Sequence, residues 1–234
     1  MGKYDLGIIG GMGSEATVEI YRRIVERTYQ SCDQEHMKII ILNNSIIPDR
    51  TKAILENGES PLPYLNNSIK DLEKLGAKNF IIACNTAHYF SSNFEINNIN
   101  FINMIEETLK VIKKNHPNEK ICLLSTKGTL KTKVYQENKE AKGLEFISLS
   151  DSNQDELMKI INDTKAAKDR TNLKIKLNNI IEEINKKEKN CLFLLACTEL
   201  STYKNDINDV KVLDAMDCLV DSAVTKCGYK LKID

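Results

Sequence analysis

Apolar residues in this chain fall into short unbroken runs, separated by longer stretches with a helical period. Runs at 6–9, 38–42, 79–83 and 100–102 read as strands. Helical patterns at 14–31, 61–75 and 86–94 lie between them, with Gly76 placed to cap the second. The plan then repeats. Strand-like runs at 121–124, 144–148, 191–195 and 210–213 alternate with helical patterns at 129–141 and 153–187, and a last helix at 215–227 closes the chain. Strands that are apolar throughout, rather than at every second position, are buried on both faces. The pattern therefore predicts an α/β protein with parallel sheets covered by helices.

Corresponding strands recur at a nearly constant offset. Ile9 and Leu124 stand 115 positions apart, Cys84 and Cys197 113, and Ile102 and Leu213 111. A duplicated half-domain of roughly 110 residues explains this spacing. We expect two similar parallel-sheet α/β half-domains related by a pseudo-twofold axis. Ligands in open α/β sheets bind beyond the carboxyl ends of the strands, so a shared cleft between the halves is the expected site. The expected first domain comprises 1–103 with 208–234, and the second 104–207. No Pro/Gly/Ser-rich linker and no low-complexity tract interrupts the pattern.

The repeat singles out two thiols. Phe80-Ile81-Ile82-Ala83-Cys84-Asn85-Thr86 and Leu192-Phe193-Leu194-Leu195-Ala196-Cys197-Thr198 share one design: an apolar run, then Ala-Cys, then a residue able to open a helix. Cysteine is commonly buried as a small hydrophobe, and Cys32, Cys122, Cys191, Cys218 and Cys227 are read that way. Cys84 and Cys197 differ because each ends a strand ahead of a predicted helix N-terminus. Backbone N–H groups there push a thiol toward thiolate. Two thiols, one from each half, suit an enzyme that removes a proton from one face of a carbon and returns one to the other.

Charge and composition narrow the function. Lys+Arg and Asp+Glu are equal at 33 each, so there is no basic footprint for nucleic acid. Aromatics are only 6% and Trp is absent, which argues against base-stacking platforms. No run approaches the roughly 20 apolar residues of a membrane span, and the first residues contain no secretory h-region. Seven cysteines without C-x-x-C spacing, and three histidines without ligand spacing, suggest neither a disulfide framework nor a metal site. A soluble cytoplasmic protein with reduced thiols is expected.

Several further residues fall on the ligand side of the sheets. Gly11, Gly13 and Ala16 fit G-x-G-x-x-A after a strand, a dinucleotide fingerprint. That reading requires a carboxylate at the end of the second strand, where Leu42-Asn43-Asn44 offers none. A turn bringing backbone N–H groups to a small carboxylate explains the glycines equally well. Arg50 suits bidentate capture of a carboxylate, or is a structural arginine. Thr126, Gly128 and Thr129 form the second half's counterpart of the glycine loop. Lys165 reads as a surface helix lysine, Glu199 as a first-turn acid and His88 as an ordinary helix residue, unless other evidence assigns them roles.

Gly10-Gly11-Met12-Gly13-Ser14-Glu15-Ala16-Thr17, Ala83-Cys84-Asn85-Thr86-Ala87-His88 and Ala196-Cys197-Thr198-Glu199-Leu200 resemble the three signatures of the aspartate/glutamate racemase family. These enzymes work without pyridoxal phosphate. Pro48-Asp49-Arg50-Thr51 and Ser125-Thr126-Lys127-Gly128-Thr129 resemble further family motifs in the right order. Ser14 departs from the family's usual proline. The resemblance is to the aspartate racemase branch, since Gly10-Gly11-Met12 and Thr198-Glu199 stand where glutamate racemases carry Asp-Ser and Thr-His. It implies that Cys84 and Cys197 are the two acid/base residues. Met12, Asn85, Thr86, Thr126, Thr198 and Glu199 would line the amino-acid site, and Arg50 and Lys165 would face the side-chain carboxylate. It further implies no cofactor, an acidic amino-acid substrate and a homodimer. A maleate-type isomerase on the same scaffold and a non-catalytic binder of acidic amino acids are the competing readings. The linear chain does not separate aspartate from glutamate, because one methylene in a pocket is worth only about 1–3 kcal/mol.

Overall fold

The computed structural model describes residues 3–188 and 190–232. Strands β1 (Tyr4–Gly10), β2 (Ile39–Asn43), β3 (Ala77–Ile82) and β4 (Asn100–Phe101) form a parallel sheet in the order β2-β1-β3-β4. Strands β5 (Lys120–Ser125), β6 (Glu145–Ile147), β7 (Cys191–Ala196) and β8 (Lys211–Asp214) form a second sheet in the equivalent order β6-β5-β7-β8. The repeat in the sequence is thus a repeat of topology. Ile9 pairs with Ile82 in one sheet as Leu124 pairs with Leu195 in the other.

Successive side chains of a strand point to opposite faces, and here both faces are filled. In the first sheet Ile9, Phe80 and Ile82 pack on Leu65, Ile69 and Leu72 of α3 (Leu62–Leu75). In the second, Leu124, Phe193 and Leu195 pack on α6 (Asp151–Lys165) and α7 (Arg170–Lys187). The alternate residues, Leu6, Ile8 and Ile81 with Ile121, Leu123 and Leu194, belong to one shared cluster. Helices α1 (Ser14–Arg27), α4 (Met104–Asn115) and α8 (Ala215–Lys226) supply most of the rest of that cluster. One continuous apolar core therefore joins the halves and fixes how the carboxyl ends of their central strands meet.

The elements depart from the sequence reading in places that have local causes. The pattern at 153–187 divides into α6 and α7 because Ala167 adopts φ +51° and Asp169 caps the second helix through Thr171 N–H. The pattern at 129–141 contains α5 (Lys127–Thr132), which stops at left-handed Lys133, and then a 3₁₀ turn at Lys139–Ala141. The segment 86–94 is a 3₁₀ helix, Thr86–Asn93. Two helices went unread: α2 (Arg50–Leu55), capped by Asp49, and α4, whose Asn103 side chain accepts from the N–H groups of Ile105 and Glu106. Residues after 208, grouped with the first half by sequence, add β8 to the second sheet before α8 packs against α1 and α4.

Candidate active site between the two sheets

Cys84 lies two residues beyond β3 and Cys197 one residue beyond β7. Each chain then turns at once into a 3₁₀ helix, Thr86–Asn93 after the first thiol and Leu200–Asp206 after the second. Both sulfur-bearing residues are buried, with 6% and 4% of their surface exposed. They line a single cavity together with Met12, Arg50, Asn85, Thr86, Thr126, Lys165, Thr198 and Glu199. All ten residues singled out from sequence thus converge there. Asp49 and Thr51 join them without having been singled out, although both belong to the Pro48–Thr51 motif. Only about 10 Å³ of the cavity is open to the centre of a water molecule, room for about one water.

The glycine loop forms one wall. Gly11 has φ +85°, and a Cβ there would sit 2.4 Å from the backbone carbon of Asn44, so only glycine fits. Its N–H donates to Thr17 Oγ1, and that hydroxyl donates to the Gly13 carbonyl, closing the turn. Arg50 holds the loop from outside. Its Nη2 donates to Met12 O at 2.8 Å, and its Nη1 donates to Pro48 O and Ile47 O. The guanidinium anticipated as a free fork for a carboxylate is therefore largely engaged by backbone carbonyls. Nε is buried with no partner among the described residues.

Hydroxyls join the halves at the next wall. Thr86 Oγ1 lies 2.9 Å from Thr126 Oγ1 and 3.0 Å from Thr129 Oγ1, and Thr126 and Thr129 are 3.1 Å apart. Gly128 permits this approach: a Cβ there would come within 3.0 Å of Thr51 Oγ1 and 3.1 Å of Thr86 Cγ2. Beside Thr86, Asn85 Oδ1 accepts from the buried hydroxyl of Tyr135 at 2.5 Å, while Asn85 Nδ2 is buried with no partner.

His88 lies behind Cys84 and is fully enclosed, stacked on Phe101. The Met104 N–H donates to Nε2 at 3.2 Å, so Nε2 carries no proton. Nδ1 then bears the proton and donates to Cys84 O at 2.9 Å. Burial pushes its pKa down to about 4, against a smaller opposing effect of the backbone contacts. A neutral imidazole thus pins the backbone of Cys84 to the start of α4. The sequence reading treated His88 as an ordinary helix residue; the i to i+4 spacing from Cys84 was the available clue.

The surroundings of Cys197 are acidic. Its S–H donates to Glu199 Oε2 at 3.0 Å, and Lys165 Nζ, at the end of α6, stands 3.8 Å from Glu199 Oε1. That second oxygen is buried without a hydrogen bond, close to where a Gly13 side chain would begin. Burial, and then the negative charge of Glu199, hold the Cys197 thiol well above its ordinary pKa. The anticipated shift toward thiolate is reversed here, because a short 3₁₀ turn is outweighed by desolvation and an adjacent carboxylate. For Lys165, burial opposes the charge, but Glu199 and both cysteines outweigh it and raise the ammonium pKa. Behind this cluster, Arg23 donates to Asp214, Asp217 and the Ser201 carbonyl, clamping α1 to the turn that follows Glu199.

Among the described residues no group of three or more His, Cys, Asp or Glu side chains is arranged to hold a metal ion, and no helix is long and apolar enough to cross a membrane. Known proteins share the fold. The chain is 33% identical to the aspartate racemase of Picrophilus torridus, with a TM-score of 0.87 over 97% of this chain and 95% of that one. It is 26% identical to an aspartate racemase homologue from Pyrococcus horikoshii OT3, with a TM-score of 0.73 over 95% and 98% of the two chains. Glutamate racemase isoform RacE1 from Bacillus anthracis shares the fold at 17% identity and a TM-score of 0.69, over 97% of this chain and 82% of that one. Residues 9–223 match the profile of the Asp/Glu/hydantoin racemases, and the chain belongs to that family.

Proposed function

We propose that this protein interconverts L- and D-aspartate by two-base proton transfer at Cα, with Cys84 and Cys197 on opposite faces of the substrate and no cofactor. One observation carries the reading: two buried thiols, one from each sheet, line a single cavity together with an amide, threonine hydroxyls, Arg50 and Lys165, and with the carboxylate Glu199 beside Cys197. The similarity to the Picrophilus aspartate racemase favours aspartate.

The Cα–H bond of an amino acid is very weakly acidic, so the site must stabilise charge that develops on the α-carboxylate as the proton leaves. Asn85 Nδ2 and the Thr86 hydroxyl are the donors on hand, with Thr126, whose hydroxyl donates to Thr129, supporting Thr86. One well-placed oxyanion donor is typically worth about 2.7–4 kcal/mol. Lys165 and Arg50 Nε would meet the side-chain carboxylate. In the direction that starts with Cys197 protonated, Cys84 as thiolate takes the Cα proton and becomes a thiol. Cys197 then gives its proton to the opposite face and becomes the thiolate. The reverse direction starts from the form so produced, Cys197 as thiolate and Cys84 as thiol. From the resting form Cys197 reaches it by giving its proton to Glu199 Oε2, its acceptor at 3.0 Å, while Cys84 takes up a proton from water. Aspartate is much larger than the present opening, so the walls part to admit it. The seven free thiols fit a reducing compartment, and we extend the reading to a cytoplasmic homodimer.

The test is proton NMR of L- and D-aspartate in D₂O with the reduced protein, alongside chiral chromatography. Loss of the Hα signal with appearance of the opposite enantiomer is expected, and Cys84→Ser or Cys197→Ser should each slow inversion by about 10²–10⁴-fold. Inversion at the wild-type rate in either variant would refute the two-base assignment. No exchange with aspartate or glutamate would favour a maleate-type isomerase or a simple binder.

A further inference from the structure

Asn85 is the one amide in the cavity, and its orientation is not left to chance. Tyr135 lies in the turn after α5, in the second half of the chain, and none of its surface is exposed. Its hydroxyl reaches across to Asn85 Oδ1 at 2.5 Å, a tie between residues 50 positions apart. An amide oxygen only accepts, so the phenol must be the donor. With Oδ1 engaged, Nδ2 is turned to the other side, where it is buried and has no partner among the described residues. Buried polar groups are nearly always paired. An unpaired N–H₂ on a cavity wall, held by a partner that itself contributes nothing to the lining, is the arrangement expected of a donor reserved for a ligand oxygen.

We propose that Tyr135 is a positioning residue, which locks the Asn85 amide with Nδ2 presented to a carboxylate of the bound substrate. Burial keeps the phenol far above its ordinary pKa, so it remains a donor throughout the working pH range. The same contact ties the strand end that bears Cys84 to the second half of the molecule. The donor geometry therefore depends on the two halves being in register. The proposal rests on the racemase reading above, and it adds a residue that touches neither substrate nor either thiol.

A double-mutant cycle tests it. Tyr135→Phe keeps the ring and removes only the hydroxyl, freeing the Asn85 amide to rotate. We expect kcat/KM for aspartate to fall by about tenfold to a hundredfold, chiefly in kcat because the donor matters most as charge develops. Asn85→Ala should lose at least as much. The pair together should be no worse than Asn85→Ala alone, since Tyr135 acts only through that amide. Independent losses that multiply would overturn the proposal and leave Tyr135 a core residue. If Tyr135→Phe does not fold, Asn85→Asp puts the same question. It keeps an acceptor for the phenol but has no N–H for the cavity, so an Asn85→Asp protein as active as wild type would also overturn the proposal. Wild-type turnover separates this from the racemase reading. An inactive wild type refutes racemisation, and the cycle is then read on the Kd for L-aspartate by calorimetry, with the same non-additivity required.

Discussion

Acid should weaken this protein through His88 in a measurable and assignable way. The perturbation is protonation of an imidazole that has one acceptor and one donor position already committed, to Met104 N–H and Cys84 O. Its pKa is about 4 in the folded protein, against 6.5 when unperturbed. Because the folded value is depressed, the unfolded chain binds more protons between those two values, and stability is lost as pH falls through that window. At about 1.36 kcal/mol per unit, integration gives a loss of about 2 kcal/mol by pH 5 and about 3 kcal/mol by pH 4. Carboxylates contribute mostly at lower pH; Glu107, for one, is held down from its ordinary 4.5 to about 2, its burial outweighed by Lys110, Lys226 and Ser222. A His88→Gln variant isolates the histidine, because its amide can bridge the same two groups without titrating. Urea unfolding at pH 7 and pH 5 should show wild type losing about 2 kcal/mol more than the variant. Equal losses in the two proteins would refute the neutral, fully buried imidazole and the strut it forms behind Cys84.

Two further outcomes follow from the same geometry. Glu199→Gln removes the proton acceptor of Cys197, so in single turnover the direction that needs Cys197 as base should slow by about 10²–10⁴-fold, while steady-state kcat/KM falls equally in both directions. The other direction should suffer less in single turnover, and equal single-turnover losses in both would remove the relay from the mechanism. Gly11→Ala forces a side chain into φ +85° and against the Asn44 backbone. Thermal unfolding should show a loss of at least about 1–3 kcal/mol, and an unchanged Tm would mean that the loop is free to move.

What the sequence determined by itself was the strand pattern and the duplication, which depend on local period and on repetition. Continuous apolar runs define strands buried on both faces, and a near-constant offset between Cys84 and Cys197 announces a duplicated sheet. Strand ends are also legible, and in parallel sheets ligand groups gather at strand ends. That is why the glycine loop and Arg50 could be placed beside one cavity, whereas the roles of Met12 and Lys165, the latter at a helix end, came only through the family resemblance. Two whole helices and one boundary were missed: α2 is only six residues long, α4 follows a short strand closely, and α6 and α7 share one apolar stripe broken only by Ala167 and the cap at Asp169. Tertiary structure alone decided what each side chain does with its polar atoms. Arg50 looks free in the chain but gives its donors to Met12, Pro48 and Ile47. Cys197 sits at a helix start that should favour thiolate, yet burial beside Glu199 keeps its proton on. Tyr135 and Asn85 carry no mark of each other, being 50 residues apart and joined only when the halves dock. Period and repetition survive in one dimension because they reflect which face of an element is buried. Hydrogen-bond partners and desolvation do not, because they are set by atoms that only the packed core brings together.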